Sequence, residues 1–102
     1  MNLCCKILSL KEIASIVKPL AKKFMVKEVY LFGSYARNQA DENSDVDFLI
    51  YGNEAFNPVH VFVFAEELRE QLGKDVDVFE IREINQDSDF YKNIMRERVL
   101  VA

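Results

Sequence analysis

The chain has 102 residues, half of them apolar, enough for one domain with a real core and little more. Its formal net charge of -4 argues against general binding to a nucleic-acid backbone, which needs a basic face, yet allows a local basic pocket. A domain this small buries a modest share of its surface, so a homodimer or a hetero-oligomer fits its size.

Cys4 and Cys5 are adjacent, which suits neither a disulfide nor a zinc site, and they read as reduced thiols of a cytoplasmic protein. Met1 to Leu10 carries Lys6 and no long apolar run, so neither a signal peptide nor a membrane span is expected. Ser9-Leu10-Lys11-Glu12 has the form of a capping box, and Ile13, Ile16, Val17 and Leu20 follow at helical spacing. Pro19 lies inside that pattern and predicts a kink or a break. Glu28 to Phe32 reads as a strand ended by Gly33-Ser34, with a short helix over Tyr35 to Gln39 and a polar loop over Ala40 to Ser44. Asp45 to Tyr51 reads as the second strand, closed by Gly52-Asn53.

Asn57-Pro58 marks the start of a further helix, with Val61, Phe62, Ala65, Leu68 and Leu72 as its apolar stripe and Gly73 as its stop. Val76 to Ile81 is the third strand. Asp87 or Ser88 caps a last helix carrying Phe90, Ile94 and Met95, and Val99 to Val101 adds a short final strand. Helices alternating with strands give an α/β (α+β) domain, 1–102, in which helices flank a mixed sheet.

Aspartate is a poor strand residue, yet Asp45 and Asp47 punctuate one strand and Asp75 and Asp77 another. Strand side chains alternate, so each pair shares a face, where like charges repel. A divalent cation resolves that conflict, because hard carboxylate oxygens suit Mg²⁺. With a third aspartate, two ions about 3.5–4 Å apart can clamp the attacking and leaving oxygens of a displacement. Taken alone, however, each pair reads more readily as a strand end open to water.

Gly33-Ser34 follows directly on a hydrophobic strand. Glycine admits close approach of a ligand, and backbone amides with the Ser34 hydroxyl can cradle the outer phosphates of a triphosphate. Arg37 lies three residues on and can face the same phosphates, or simply water. Alone, the turn reads more readily as a tight turn with a helix cap.

The combination is more specific than its parts. Leu31-Phe32-Gly33-Ser34-Tyr35-Ala36-Arg37, followed by Ser44-Asp45-Val46-Asp47-Phe48-Leu49-Ile50, resembles the signature of the DNA polymerase beta-like nucleotidyltransferase superfamily, with ten residues between Ser34 and Asp45. Val76-Asp77-Val78 looks like its third carboxylate strand. The short length and the Phe-Gly-Ser-Tyr-Ala-Arg run look most like the minimal nucleotidyltransferases, or MNT group, whose members commonly serve as antitoxins of HEPN-domain toxins.

The resemblance implies the polymerase beta-like palm fold and transfer of AMP from ATP to a tyrosine of a HEPN toxin. It implies that Gly33 and Ser34 hold the triphosphate, that Asp45 and Asp47 bind Mg²⁺, and that Asp77 completes the site and helps deprotonate the acceptor. Asp77 is preferred to Asp75 because it stands between valines inside the strand. Asn38 departs from the glycine of many relatives and puts the loop geometry in question.

The alternatives are nucleotidyl transfer to a small molecule and a non-enzymatic antitoxin that acts by binding. Small-molecule relatives usually carry a further helical domain, and a pure binder has no reason to keep three costly aspartates. His60 reads as a surface or packing residue, and Tyr35 more readily as packing than as a nucleotide contact. Arg96-Glu97-Arg98 reads as a polar turn, with a partner contact as the weaker alternative.

Overall fold

The computed structural model describes residues 6–102, so Cys4 and Cys5 lie outside the described residues. The elements run α1 (Leu10–Lys23), β1 (Val26–Phe32), β2 (Val46–Gly52), α2 (His60–Leu72), β3 (Val76–Glu80), a 3₁₀ turn (Ile81–Glu83), α3 (Asp89–Glu97) and β4 (Val99–Leu100). The strands form one mixed sheet in the order β3-β2-β1-β4. β1 is antiparallel to β2 and β4, whereas β2 and β3 are parallel. Among the described residues no helix is long and apolar enough to cross a membrane.

Strand alternation divides the side chains between two cores. Val29, Leu31, Phe48 and Ile50 pack with Ile13, Val17 and Leu20 of α1 and Phe64 and Leu68 of α2. On the opposite face Phe32 and Leu49 pack with Ile84 and with Ile94 of α3, edged by Tyr30, Tyr51 and Phe79. Asp47 and Asp77 share the parity of Leu49 and Phe79, so they belong to the α3 side of the sheet.

The capping box at Ser9 and Glu12 forms as expected. Pro19, however, neither breaks nor ends α1, which runs unbroken from Leu10 to Lys23. Pro19 and Ser15, four residues earlier, are both exposed, so the carbonyl left without a donor is open to water. In α2 the regular helix begins three residues after Asn57, but Asn57 Oδ1 accepts the Val59 N–H at 3.1 Å and so caps a tight first turn. The stripe of α2 also differs from the expectation. Phe62 is 77% exposed and Phe64 is fully buried. Val61, Phe64, Ala65, Leu68 and Leu72 lie within one narrow arc of the helix, whereas Phe62 sits about 100° from its centre.

The Tyr35–Gln39 segment is a single turn rather than a helix. Arg37 N–H donates to the Gly33 carbonyl at 3.1 Å, Asn38 to Tyr35 at 3.3 Å and Gln39 to Ser34 at 2.9 Å. The last two bonds make a Schellman closure with Asn38 at its left-handed position, φ 58°. Asparagine tolerates that conformation, so Asn38 fills the backbone role of glycine there and the loop closes in the ordinary way.

Candidate active site

The site is assembled where β1 ends and β2 and β3 begin. Asp47 pairs in register with Phe32 of β1 on one side and with Asp77 of β3 on the other. Phe32 is followed at once by Gly33, whose φ is 74°. A Cβ at Gly33 would stand 2.4 Å from Asp47 Oδ2, so the carboxylate lies flat against the turn that glycine alone permits. Asp45 is exposed at the entry to β2, and Asp77 is exposed one strand away.

Asp47 is the electrostatic centre. Burial first, and then the charges of Asp77 and Asp45, push its carboxyl up to about 6, with Arg37 opposing and Glu97 adding to the rise. Asp75 is exposed just before β3, and its carbonyl accepts the Val46 N–H at 2.9 Å. That bond starts the β2–β3 pairing and leaves Asp77 as the register partner of Asp47.

The loop before Asp45 is held from two directions. Ser44 Oγ accepts the Asp41 N–H at 2.9 Å and Asp41 Oδ1 accepts the Asn43 N–H at 2.8 Å. Lys74, 3% exposed, donates its Nζ to the Glu42 carbonyl at 2.8 Å and ties the loop to the entry of β3. A buried ammonium requires such a partner. Reasoning from the sequence missed Lys74, whose one signal is a lysine directly before Asp75 at a strand entry.

The Arg96-Glu97-Arg98 run is not a polar turn. Glu97 Oε1 accepts the Gly33 N–H at 3.0 Å, and both its oxygens accept from Arg37 Nη1, at 3.2 and 3.1 Å. Arg37 Nε donates to Gln39 at 3.1 Å. Arg98 lies 4.1 Å over the Tyr30 ring and donates Nη1 to the Tyr51 hydroxyl at 2.8 Å. Beside the carboxylate row, Phe32, Phe79 and Phe90 form an aromatic cluster with centroids 5.4 to 6.0 Å apart. Tyr35 is buried in the core under the loop, and His60 packs edge-on against Phe24.

Hard oxygen donors crowded on one sheet face, with the Arg37 guanidinium already engaged by Glu97, have the chemistry of a Mg²⁺ site. Among the described residues no set of three or more His, Cys, Asp or Glu side chains is already gathered to ligand distance.

A mixed sheet that sets a Gly-Ser turn against an Asp-x-Asp strand, with a further aspartate in register, defines a nucleotide-transferring class of domain. The family model described as polymerase beta, nucleotidyltransferase matches residues 14–102, and the chain belongs to that family. It is 37% identical over 98 residues to the protein adenylyltransferase MntA of Thermococcus cleftensis, covering 92% of this chain and 97% of that one. A solved toxin-antitoxin with AMP-PNP superposes with a TM-score of 0.73 at 21% identity, covering 93% of this chain and 73% of that one. A tri-AMPylated Shewanella oneidensis HEPN toxin in complex with its MNT antitoxin gives a TM-score of 0.69 at 17% identity, covering 91% and 71%. At those identities the two solved structures bear on the fold.

Proposed function

We propose that this chain is a cytoplasmic antitoxin that transfers AMP from ATP to a tyrosine of a partner HEPN toxin. The observation that carries the reading is the row Gly33, Asp47 and Asp77, which sets the turn and two carboxylates side by side on one sheet face with Asp45 at its edge. The kinship with a protein adenylyltransferase, at a coverage that leaves almost no part of either chain unmatched, supports AMP as the group moved.

In this reading the Gly33-Ser34 turn cradles the outer phosphates, and Arg37 adds positive charge beside them. Asp45, Asp47 and Asp77 hold Mg²⁺, which when bound neutralises charge on the phosphates and acidifies the acceptor hydroxyl. The acceptor oxygen forms a bond to the α-phosphorus as the bond to the β-phosphate oxygen breaks, and pyrophosphate departs. Asp77, exposed at the outer end of the row, accepts the hydroxyl proton. Most of the acceleration comes from positioning and from charge neutralisation.

The test is incubation with α-labelled ATP, Mg²⁺ and the product of the adjacent reading frame. Label on a tyrosine of that product, lost in Asp45→Ala, supports the reading. Label confined to small acceptors, or tight binding of the product without transfer, overturns it.

A further inference from the structure

We infer that Glu97 is the positioning residue of the phosphate-binding turn. The inference rests on the function proposed above and adds a residue to the same site. Glu97 ends α3, and its carboxylate bridges two groups of the turn, the Gly33 N–H and Arg37 Nη1. These are the residue that must stay flat against Asp47 and the cation that must stand beside the phosphates.

One carboxylate thus fixes both. Accepting the Gly33 N–H holds that peptide with its φ at 74°, the conformation that leaves room for the Asp47 carboxylate. Pairing with both Glu97 oxygens adds a second hold on the Arg37 guanidinium, whose Nε already donates to Gln39. Glu97 has 23% of its side chain exposed and its bond from the Gly33 N–H is partly buried, whereas its pairing with the half-exposed Arg37 is open to solvent. It lies 64 residues from Gly33 in the chain, and nothing else described links α3 to the turn by a side-chain hydrogen bond. A carboxylate there adds to the negative charge around Asp47, a cost that its bonds to the Gly33 N–H and Arg37 offset.

The experiment compares Glu97→Ala and Glu97→Gln with wild type in three measurements: steady-state AMP transfer, binding of Mg²⁺-ATP, and amide hydrogen exchange at Gly33 to Arg37. Glu97→Ala is expected to raise KM for ATP about tenfold, the loss of a charge-assisted hydrogen bond, with kcat changed about threefold or less. Gly33 should lose its exchange protection. Glu97→Gln keeps an acceptor for the Gly33 N–H and should recover most of that protection and part of the affinity. Unchanged KM and affinity in a folded Glu97→Ala overturns the inference, as does a fall in kcat alone, which would place Glu97 in the chemistry. If wild type binds no Mg²⁺-ATP, the function proposed above fails. The exchange data then decide Glu97 separately, since an unchanged pattern at Gly33 to Arg37 shows that it positions nothing.

Discussion

Asp47 and Asp77 stand directly opposite each other across the parallel β2–β3 pair, two carboxylates in neighbouring strands on the same sheet face. In the metal-free protein each destabilises the other. Asp47→Asn and Asp77→Asn should therefore raise the melting temperature without metal at neutral pH. In wild type, Mg²⁺-ATP at a hundredfold excess over its dissociation constant should add about 2.7 kcal/mol. Both variants should lose most of that gain and roughly a hundredfold or more in transfer rate. Thermal shift with and without Mg²⁺-ATP checks the sign reversal.

The Asp47 carboxyl sets a pH window. Its folded-state value of about 6 lies above the 3.8 of a free aspartate, so the folded chain holds a proton that the unfolded chain releases first. Metal-free stability should fall as pH rises from about 4 to about 6 and then level off. Stabilisation by Mg²⁺ should run the other way, weak below pH 6 and full above it, because the ion needs the carboxylate. Urea titrations over that range, in EDTA and in Mg²⁺, should give opposite slopes, and Asp47→Asn should flatten both.

Gly33→Ala brings a methyl group to within 2.4 Å of Asp47 Oδ2 and places a side chain at φ 74°. The backbone cost alone is about 1–3 kcal/mol. Relief requires Asp47 to move, so transfer should fall further than stability does. Urea unfolding and AMP transfer on the same sample separate the two losses.

At Asn38 the expected order is Gly, then Asn, then Val. With φ at 58°, Asn38→Gly should change stability by less than about 1 kcal/mol and leave activity intact. Asn38→Val should cost about 1–2 kcal/mol. Equal stability of the Val and Gly variants would refute the left-handed closure of the turn.

Lys74→Met keeps the buried stem and removes the donor to the Glu42 carbonyl. The stranded carbonyl should cost about 1–3 kcal/mol. Because the loop leads into Asp45, weaker Mg²⁺ affinity should accompany the loss, measurable by calorimetry.

Much of this was legible because it is local. Strand alternation paired Asp45 with Asp47 and Asp75 with Asp77, and the capping box at Ser9 set the start of α1, whereas the register that puts Asp47 beside Asp77 comes from the pairing of β2 with β3. Other features depend on partners distant in the chain. Phe62 and Phe64 are two residues apart and point to nearly opposite sides of the helix, and which is buried is decided by where α1 and β3 lie. The side of α1 that carries Pro19 faces water because of how the helix docks, which the residues around the proline do not encode. Lys74 meets a carbonyl 32 residues away and Glu97 an amide 64 residues away, and no spacing within the sequence encodes either encounter. The Asn38 departure was visible as a residue but became interpretable only with its backbone angle.

Glu97 and Arg98 are consecutive yet grip different parts of the sheet, one at the Gly33 turn and the other at Tyr30 and Tyr51. The exposed turn Asn85–Asp87 separates this clamp from every aspartate of the site. A break there would leave one fragment with the complete signature and another, 86–102, with its fastening. Nucleotide transfer by the mixed fragments would then report their reassembly, making the last helix a detachable switch for a split-protein sensor.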